Sequence, residues 1–319
     1  MKRLVVCVVC GIIVSYGVIV THWRVPVHNC RISSVALSKD KKHLAFARYI
    51  REEVYLWDVD TEQQVRVIQA ATSGDAFGLA FTPDNKLLLT AGGKERGKAT
   101  RIREWDVSTG TEVKRDHSFH GFRMVLSDNG NWLATIDDRA AYLFDYRTGR
   151  EHRAILPKSP KTGRIVTVSI CKESSWLVTG ETGDSREVCV WDIHTGKLVH
   201  CLTLTQETAS EQFEVAMSED GKQIVAFDGG DVVLKDLSSD KVPRRFAWPQ
   251  SFPEEATEEI LVAITRDRKV LACRGNNVKV WHAETGDEVF GFNEGGGAMT
   301  FSSDDKWLRS EEHTSNSSH

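Results

Sequence analysis

Excess positive charge is missing from this chain. Lys and Arg number 41 against 45 Asp and Glu, a formal charge of −4, so no bulk positive field exists to hold a nucleic acid by counterion release. Nucleic acid is therefore not an expected partner. Cysteine chemistry is also thin. Of seven cysteines only Cys7 and Cys10 form a C-x-x-C pair, and that pair sits in an apolar run with no second pair for zinc and no βαβ setting for a redox motif. The other five, Cys30, Cys171, Cys189, Cys201 and Cys273, are odd in number and irregularly spaced, which is not a disulfide framework. No long apolar pattern of 3.6-residue period follows residue 30, which excludes a helical domain and predicts a nearly helix-free fold. What remains is a chain of 319 residues, 40% hydrophobic and 27% charged. That is an ordinary globular composition, long enough for one large all-β domain or two smaller ones.

One long apolar run exists, at the N-terminus. Lys2 and Arg3 precede seventeen apolar or small residues from Leu4 to Val20, and Trp23 and Arg24 follow. At about 1.5 Å per residue a helix of that length spans roughly 25 Å, the short limit for crossing a bilayer, and Trp23 suits the interface. Residues 1–21 are accordingly predicted to be a signal-anchor or transmembrane helix, with membrane contact through residues 4–20. Cleavage as a signal peptide after Ser15-Tyr16-Gly17 is the alternative, but Val18-Ile19-Val20 carries the apolar run past that cut. Lys2 and Arg3 nearly balance Arg24, Arg31 and Lys39 on the far side. A long following domain translocates largely regardless of its charge, so the expected location of that domain is outside the cytoplasm.

The stretch VCVWDIHTGKLVHCLTL, residues 188–204, packs Cys189, Asp192, His194, His200 and Cys201 together. A site should be unique, whereas this stretch has siblings. Seven segments share one template of apolar strand, polar turn and second apolar strand, marked by Ser38, Thr82, Ser127, Cys171, Ser218, Thr265 and Ser302 at intervals of 44, 45, 44, 47, 47 and 37 residues. A period near 44 indicates a repeat architecture. Six units continue into a third strand with Trp-Asp near its end, intact at Trp57-Asp58, Trp105-Asp106 and Trp191-Asp192. It is degenerate at Phe144-Asp145, Lys235-Asp236 and Trp281-His282. Thr-Gly follows at Thr109-Gly110, Thr148-Gly149, Thr195-Gly196 and Thr285-Gly286, where glycine supplies the positive φ of a tight turn. A fourth strand comes next, as in EVKRD or KLVHCLTL.

Four short strands per unit with Trp-Asp closing the third resemble the WD-repeat β-propeller family. The resemblance covers residues 32–308 and implies an all-β, seven-bladed propeller over 22–308 whose last blade is incomplete. It departs from the family in one respect: no unit has the Gly-His dipeptide before its first strand, which puts the Asp-His-Ser-Trp hydrogen-bond network of a typical blade in doubt. The segment WRVPVH, 23–28, is placed by spacing to be the outer strand of that last blade, with Pro26 tolerated at an edge. Residues 309–319, RSEEHTSNSSH, break the template and resemble the translation of a sequencing-library adapter. They are read as a non-native tail, with the natural frame continuing beyond Leu308.

The recurrent residues Trp191, Asp192 and Gly196 build the unit, while Cys189, His194 and Cys201 have unrelated counterparts in the siblings. No metal site is expected among them, because no pair shows the spacing and common direction zinc requires. A Cys189–Cys201 bridge depends on whether a one-residue register change makes the two face each other. Gly92, Gly97 and Lys98 nearly spell a phosphate loop, but Ala99 replaces the Ser or Thr and a strand follows in place of a helix, so 92–100 reads as a loop. The acidic stretch 253–259 reads likewise. Trp57, Trp105, Trp191 and Trp281 are expected to end third strands and Trp132, Trp176 and Trp307 to begin second strands; after Trp23 only Trp248 falls outside this pattern. The first strands, which line the channel of a propeller, hold one acid, Glu214, and no histidine. No catalytic, cofactor or metal residue is therefore assigned, and the expected role is a membrane-tethered scaffold for protein partners. A propeller-type hydrolase or an extracytoplasmic ligand-sensing domain is the alternative.

Overall fold

The computed structural model describes residues 10–13, 18–23, 32–48, 53–61, 63–70, 76–92, 101–114, 119–127, 129–137, 140–159, 163–171, 175–204, 213–218, 220–228, 230–247, 261–265, 268, 270–274, 278–292, 299–301 and 307–311. They form seven sheets, six of four strands and one of three. Sheet one contains Ile32–Leu37, His43–Arg48, Glu53–Asp58 and Gln63–Gln69; sheet two Ala76–Phe81, Leu87–Gly92 and Ile102–Asp106. Sheet three contains Arg123–Leu126, Trp132–Ile136, Ala141–Asp145 and Glu151–Ile155; sheet four Arg164–Ile170, Trp176–Thr182, Arg186–Asp192 and Leu198–Leu204. Sheet five contains Glu214–Met217, Gln223–Phe227, Asp231–Asp236 and Arg244–Ala247; sheet six Leu261–Ile264, Val270–Arg274, Val278–His282 and Glu288–Phe292. Each of these is an antiparallel meander in chain order. First strands of successive sheets pack side by side, and Met299–Phe301 of the seventh sheet returns against Ile32–Leu37. The architecture is all-β and propeller-like.

Core residues follow from this stacking. A middle strand has a neighbouring sheet on each side, so it reads as a continuous apolar run in place of an alternating one. Leu44, Ala45, Phe46 and Ala47 are all almost fully buried, as are Ile224, Val225, Ala226 and Phe227. Apolar layers form between consecutive sheets. Ala45, Val54, Leu56 and Ile68 of sheet one meet Leu79, Leu88 and Trp105 of sheet two, and Val178, Val188 and Val190 of sheet four meet Val215, Ile224 and Val233 of sheet five. Outer strands are mostly exposed, as Leu198 and Val199 show.

The residues that mark the repeat are turn builders. Ser38 Oγ donates to Asp40 Oδ1 at 2.6 Å and accepts from His43 N at 2.8 Å, which closes the turn between first and second strands. Thr82 with Asp84, Ser127 with Asn129 and Ser218 with Asp220 repeat the arrangement. The fourth residue of each such turn is left-handed: Lys41, Asn85, Gly130 and Gly221 have φ of 65, 60, 66 and 69°. At the other turn on the same end of the sheet, the Asp of Trp-Asp accepts from the backbone three residues on, Thr61 N to Asp58 at 2.7 Å and Thr195 N to Asp192 at 2.6 Å. Asp106 and Asp145 do the same for Thr109 and Thr148, and in sheet six His282 Nδ1 takes the role for Thr285. The aspartate is thereby committed to its own turn. The indoles go elsewhere: Trp105 Nε1 donates to Thr90 Oγ1 at 3.0 Å and Trp191 Nε1 to Thr179 Oγ1 at 2.8 Å.

Several expectations change. The N-terminal run contains two strands where a helix was expected, Cys10–Ile13 and Val18–Trp23, and among the described residues no helix is long and apolar enough to cross a membrane. The run is dominated by Val and Ile, whose β-branched side chains favour a pleated surface. Val18–Trp23 joins the last sheet; it ends on Trp23, the first residue of WRVPVH, and residues 24–28 lie outside the described residues. It pairs in parallel with Trp307–Glu311, Ile19 opposite Trp307 and Trp23 opposite Glu311. The expected tail boundary at 309 falls within the strand Trp307–Glu311, and 312–319 lie outside the described residues. In sheet two the described part of EVKRD, residues 112–114, meets the third strand through a bridge between Trp105 and Glu112 and a hydrogen bond from Val113 N to Glu104 O. Residues 93–100, 248 and 253–259 also lie outside the described residues.

Candidate functional site

Along the inner strands Glu214 remains the single acid of the described first strands, and it is engaged. Its Oε2 lies 3.1 Å from Arg123 Nη1 of sheet three, and its Oε1 accepts from Thr167 Oγ1 of sheet four at 2.5 Å. Three sheets are thus tied together beside the axis. A carboxylate held by a guanidinium and a hydroxyl is a poor general base, since both partners stabilise its ionised form.

Sheet four carries a second concentration of chemistry. The third and fourth strands are bulged between Val190 and Trp191, the residue before the repeat tryptophan. Sheets one, three and six are bulged at the same place, between Leu56 and Trp57, Leu143 and Phe144, and Val280 and Trp281. Beyond the bulge Cys189 lies directly opposite Cys201, Val188 opposite Leu202 and Glu187 opposite Thr203. The two Sγ atoms are 2.6 Å apart and both thiols are free. Cys189 is fully buried and Cys201 is exposed.

Around this pair the same face of the sheet is polar. Glu181, opposite Glu187 on the second strand, and Thr179, opposite Cys189, are buried with it. Glu181 accepts from Lys158 N at 2.7 Å and from Thr179 Oγ1 at 2.9 Å. The Lys158 ammonium, on the connection from sheet three, sits 2.7 Å from Glu187 Oε1. Burial pushes the Glu181 carboxyl up, offset by the hydrogen bonds it accepts from Lys158 N, Thr179 and Cys189. The hydrogen bond to Glu187 raises the Lys158 ammonium, helped by its nearness to Cys201. Between the thiols the charge is divided: the shared hydrogen bond and burial push Cys189 up, while the same hydrogen bond pulls Cys201 down, with Lys158 nearby. Cys201 is the thiol that ionises first.

The cluster also offers ligand atoms from Glu187, Cys189 and Cys201 within 4.8 Å of one another. No metal site was expected here and the facing of Cys189 and Cys201 hung on one residue of register; the bulged pairing turns both to one face. A cation at this point would have to displace the Lys158 ammonium from Glu187, so the donor set favours thiol chemistry over a resident metal. His194 and His200 do not join the cluster. His194 Nε2 pairs with Ser175 Oγ at 2.9 Å and its ring lies 6.0 Å from that of Trp132; His200, opposite Val190, is exposed.

No protein-family model matches the chain. A stretch of 75 residues, 24% of the chain, is 33% identical to the general transcriptional corepressor tupA of Dictyostelium discoideum, and the match spans only 13% of that protein. Among solved structures, hydrazine synthase of Kuenenia stuttgartiensis superposes with a TM-score of 0.65 over 82% of this chain and 79% of its own, at 15% identity. That likeness is one of fold.

Proposed function

We propose that the chain is a WD-repeat, seven-bladed propeller that serves as a scaffold for protein partners and is tethered to a membrane through residues 4–20, with the ring outside the cytoplasm. The observation that carries the scaffold reading is the state of the inner strands. The single acid of the described first strands is held by Arg123 and Thr167, and among the described residues of those strands there is no histidine to work beside it in a hydrolysis. The likeness to a general transcriptional corepressor over 75 residues points the same way, toward work done through partners. Support for the tether comes from the sequence: a seventeen-residue apolar run between Lys2-Arg3 and Trp23-Arg24. Residues 10–13 and 18–20 of the run are strands of the last sheet, whereas in a bilayer a helix would satisfy every backbone group internally.

Affinity capture from detergent-solubilised membranes, with the chain at its natural level, should return a protein at stoichiometric amount. A ring that co-purifies with none sinks the scaffold reading. Carbonate washing should leave the chain in the membrane pellet, and protease added to intact cells should digest the ring. Release by carbonate refutes the tether; protection until lysis reverses the orientation.

A further inference from the structure

We propose that Cys189 and Cys201 form a redox couple, a dithiol that closes to a cross-strand disulfide by exchange with a low-molecular-weight disulfide such as oxidised glutathione. The geometry carries it. The two residues are direct partners across the third and fourth strands of sheet four, their sulfurs converge on one face, and no backbone movement is needed to bring them together. The bulge before Trp191 sets this pairing. The chain closes the turn with Asp192 N bonded to Lys197 O, and continuing that register unbroken would place Cys189 opposite His200. The one-residue shift puts Cys201 there.

The pair is asymmetric in the way exchange requires. Cys201 lies on the outer strand, open to solvent, with the Lys158 ammonium held beside it by Glu187. That setting favours a thiolate nucleophile. Cys189 is fully buried behind it, its sulfur facing Cys201 Sγ across the two strands. In the first step the Cys201 thiolate attacks one sulfur of the oxidant, forming a mixed disulfide and releasing one glutathione thiolate. In the second, the Cys189 thiol loses its proton, its sulfur attacks Cys201 Sγ, and the second thiolate leaves and takes up a proton, as the first does with the one that Cys201 had given to solvent. One disulfide is reduced to two thiols while the Cys189–Cys201 bond forms, and the two protein thiol protons end on glutathione. The bond ties the exposed outer strand Leu198–Leu204 to its neighbour at mid-strand. This holds whatever partner the ring binds.

The test uses the full chain in detergent with oxidised glutathione as the probe. Trypsin cuts after Lys197, between the two cysteines, so the bridge appears as a linked peptide pair. Titration against glutathione buffers should convert both cysteines together from alkylatable to linked, while Cys171 and Cys273 stay reduced. In the reduced folded chain Cys201 should alkylate at least about tenfold faster than Cys189, in keeping with exposure and thiolate character. Cys189→Ser should accumulate glutathione on Cys201, the trapped first step. Wild-type chain that keeps the mixed disulfide without forming the linked pair overturns the proposal. So does linkage of Cys201 to Cys7, Cys10 or Cys30, or stoichiometric zinc that both thiols retain under the oxidant. The wild-type measurements stand alone if a serine variant fails to fold.

Discussion

Trp57 shows what a single residue of the repeat contributes and what it does not. Its Nε1 is buried with no hydrogen-bond partner, because the second-strand position that offers Thr90 to Trp105 and Thr179 to Trp191 is Phe46 in sheet one. Phe46 instead stacks on Tyr55 at 5.1 Å. Replacing each tryptophan with phenylalanine removes a similar volume but different polar accounts. Trp105→Phe should cost about 1 kcal/mol more than Trp57→Phe, since it strands the buried Thr90 hydroxyl while the latter removes an unsatisfied N–H, and Trp191→Phe should fall between them because Thr179 keeps its hydrogen bond to Glu181. Urea midpoints of the three variants measure the difference; equal losses would mean the indole hydrogen bonds contribute nothing. The aspartates that follow carry a pH signature. Asp58 and Asp192 are held below the usual carboxylate range by backbone N–H donors, and Asp106 by the Ser108 hydroxyl. A depressed carboxylate contributes stability that is present above its unfolded value near pH 4 and lost as pH falls through the folded one. Asp192→Asn keeps an acceptor for Thr195 but cannot titrate. It should flatten the fall in unfolding free energy below about pH 4, and an unchanged acid limb would refute the assignment.

At the scale of the element, the Thr-Gly turns were legible from sequence because glycine at a positive φ is a local requirement. Their second function was not. Gly196 has φ 68°, and a methyl group there would also overlap the Arg153 side chain from the neighbouring sheet. Arg153 lies over that turn to donate to His194 O at 3.3 Å; Arg66 reaches Ser108 O at 2.6 Å, and Arg244 reaches Ala283 O at 2.6 Å and Glu284 O. These contacts join residues about 40 apart, so no local pattern reveals them. The signal that existed is that Arg66, Arg153 and Arg244 occupy one position of the fourth strand, opposite Leu56, Leu143 and Leu234, in alternate sheets. The same limit left the dithiol open: whether Cys189 faces Cys201 turned on one residue of register, and the bulge that sets it leaves no mark in the residues themselves. Gly286, with φ 85° and nothing within 4 Å of an added methyl, isolates the conformational part. Gly286→Ala should cost about 1–2 kcal/mol, the left-handed penalty alone. Gly196→Ala should add only the displacement of the flexible Arg153 side chain and the loss of its bond to His194 O, and Arg153→Ala should remove that excess in a double-mutant cycle. Additivity of the two would show that the arginine does not pack on the turn.

The whole molecule is defined by how its ring closes, and there the direction of the chain explains the odd pairing. In a four-stranded antiparallel meander the fourth strand runs the same way as the second. A segment that precedes the first strand of sheet one, and so sits where the outer strand of the preceding sheet would, must enter in that direction. The described part of the seventh sheet has Met299–Phe301 and Trp307–Glu311 but no antiparallel third strand after them. Val18–Trp23 therefore meets the second strand itself, and the pairing comes out parallel. Spacing foretold that the N-terminal segment would join the last sheet. The described strand ends at Trp23, where the expected one begins, and it takes an inner position beside Trp307–Glu311. The same segment is the proposed membrane tether, and it cannot be a spanning helix and a closing strand at once. Hydrogen exchange at 307–311 distinguishes the two. In detergent-free chain those amides should be protected by Val18–Trp23, and deletion of residues 1–23 should bring them to the rate of an unpaired edge while sheets three to five keep their protection. Insertion of the full chain into phospholipid vesicles should expose 307–311 to the same degree, because the strand has left the sheet for the bilayer. If 307–311 stay protected after the deletion, the parallel pairing does not close the ring; if they stay protected in vesicles, residues 18–23 remain in the sheet and the tether reading fails.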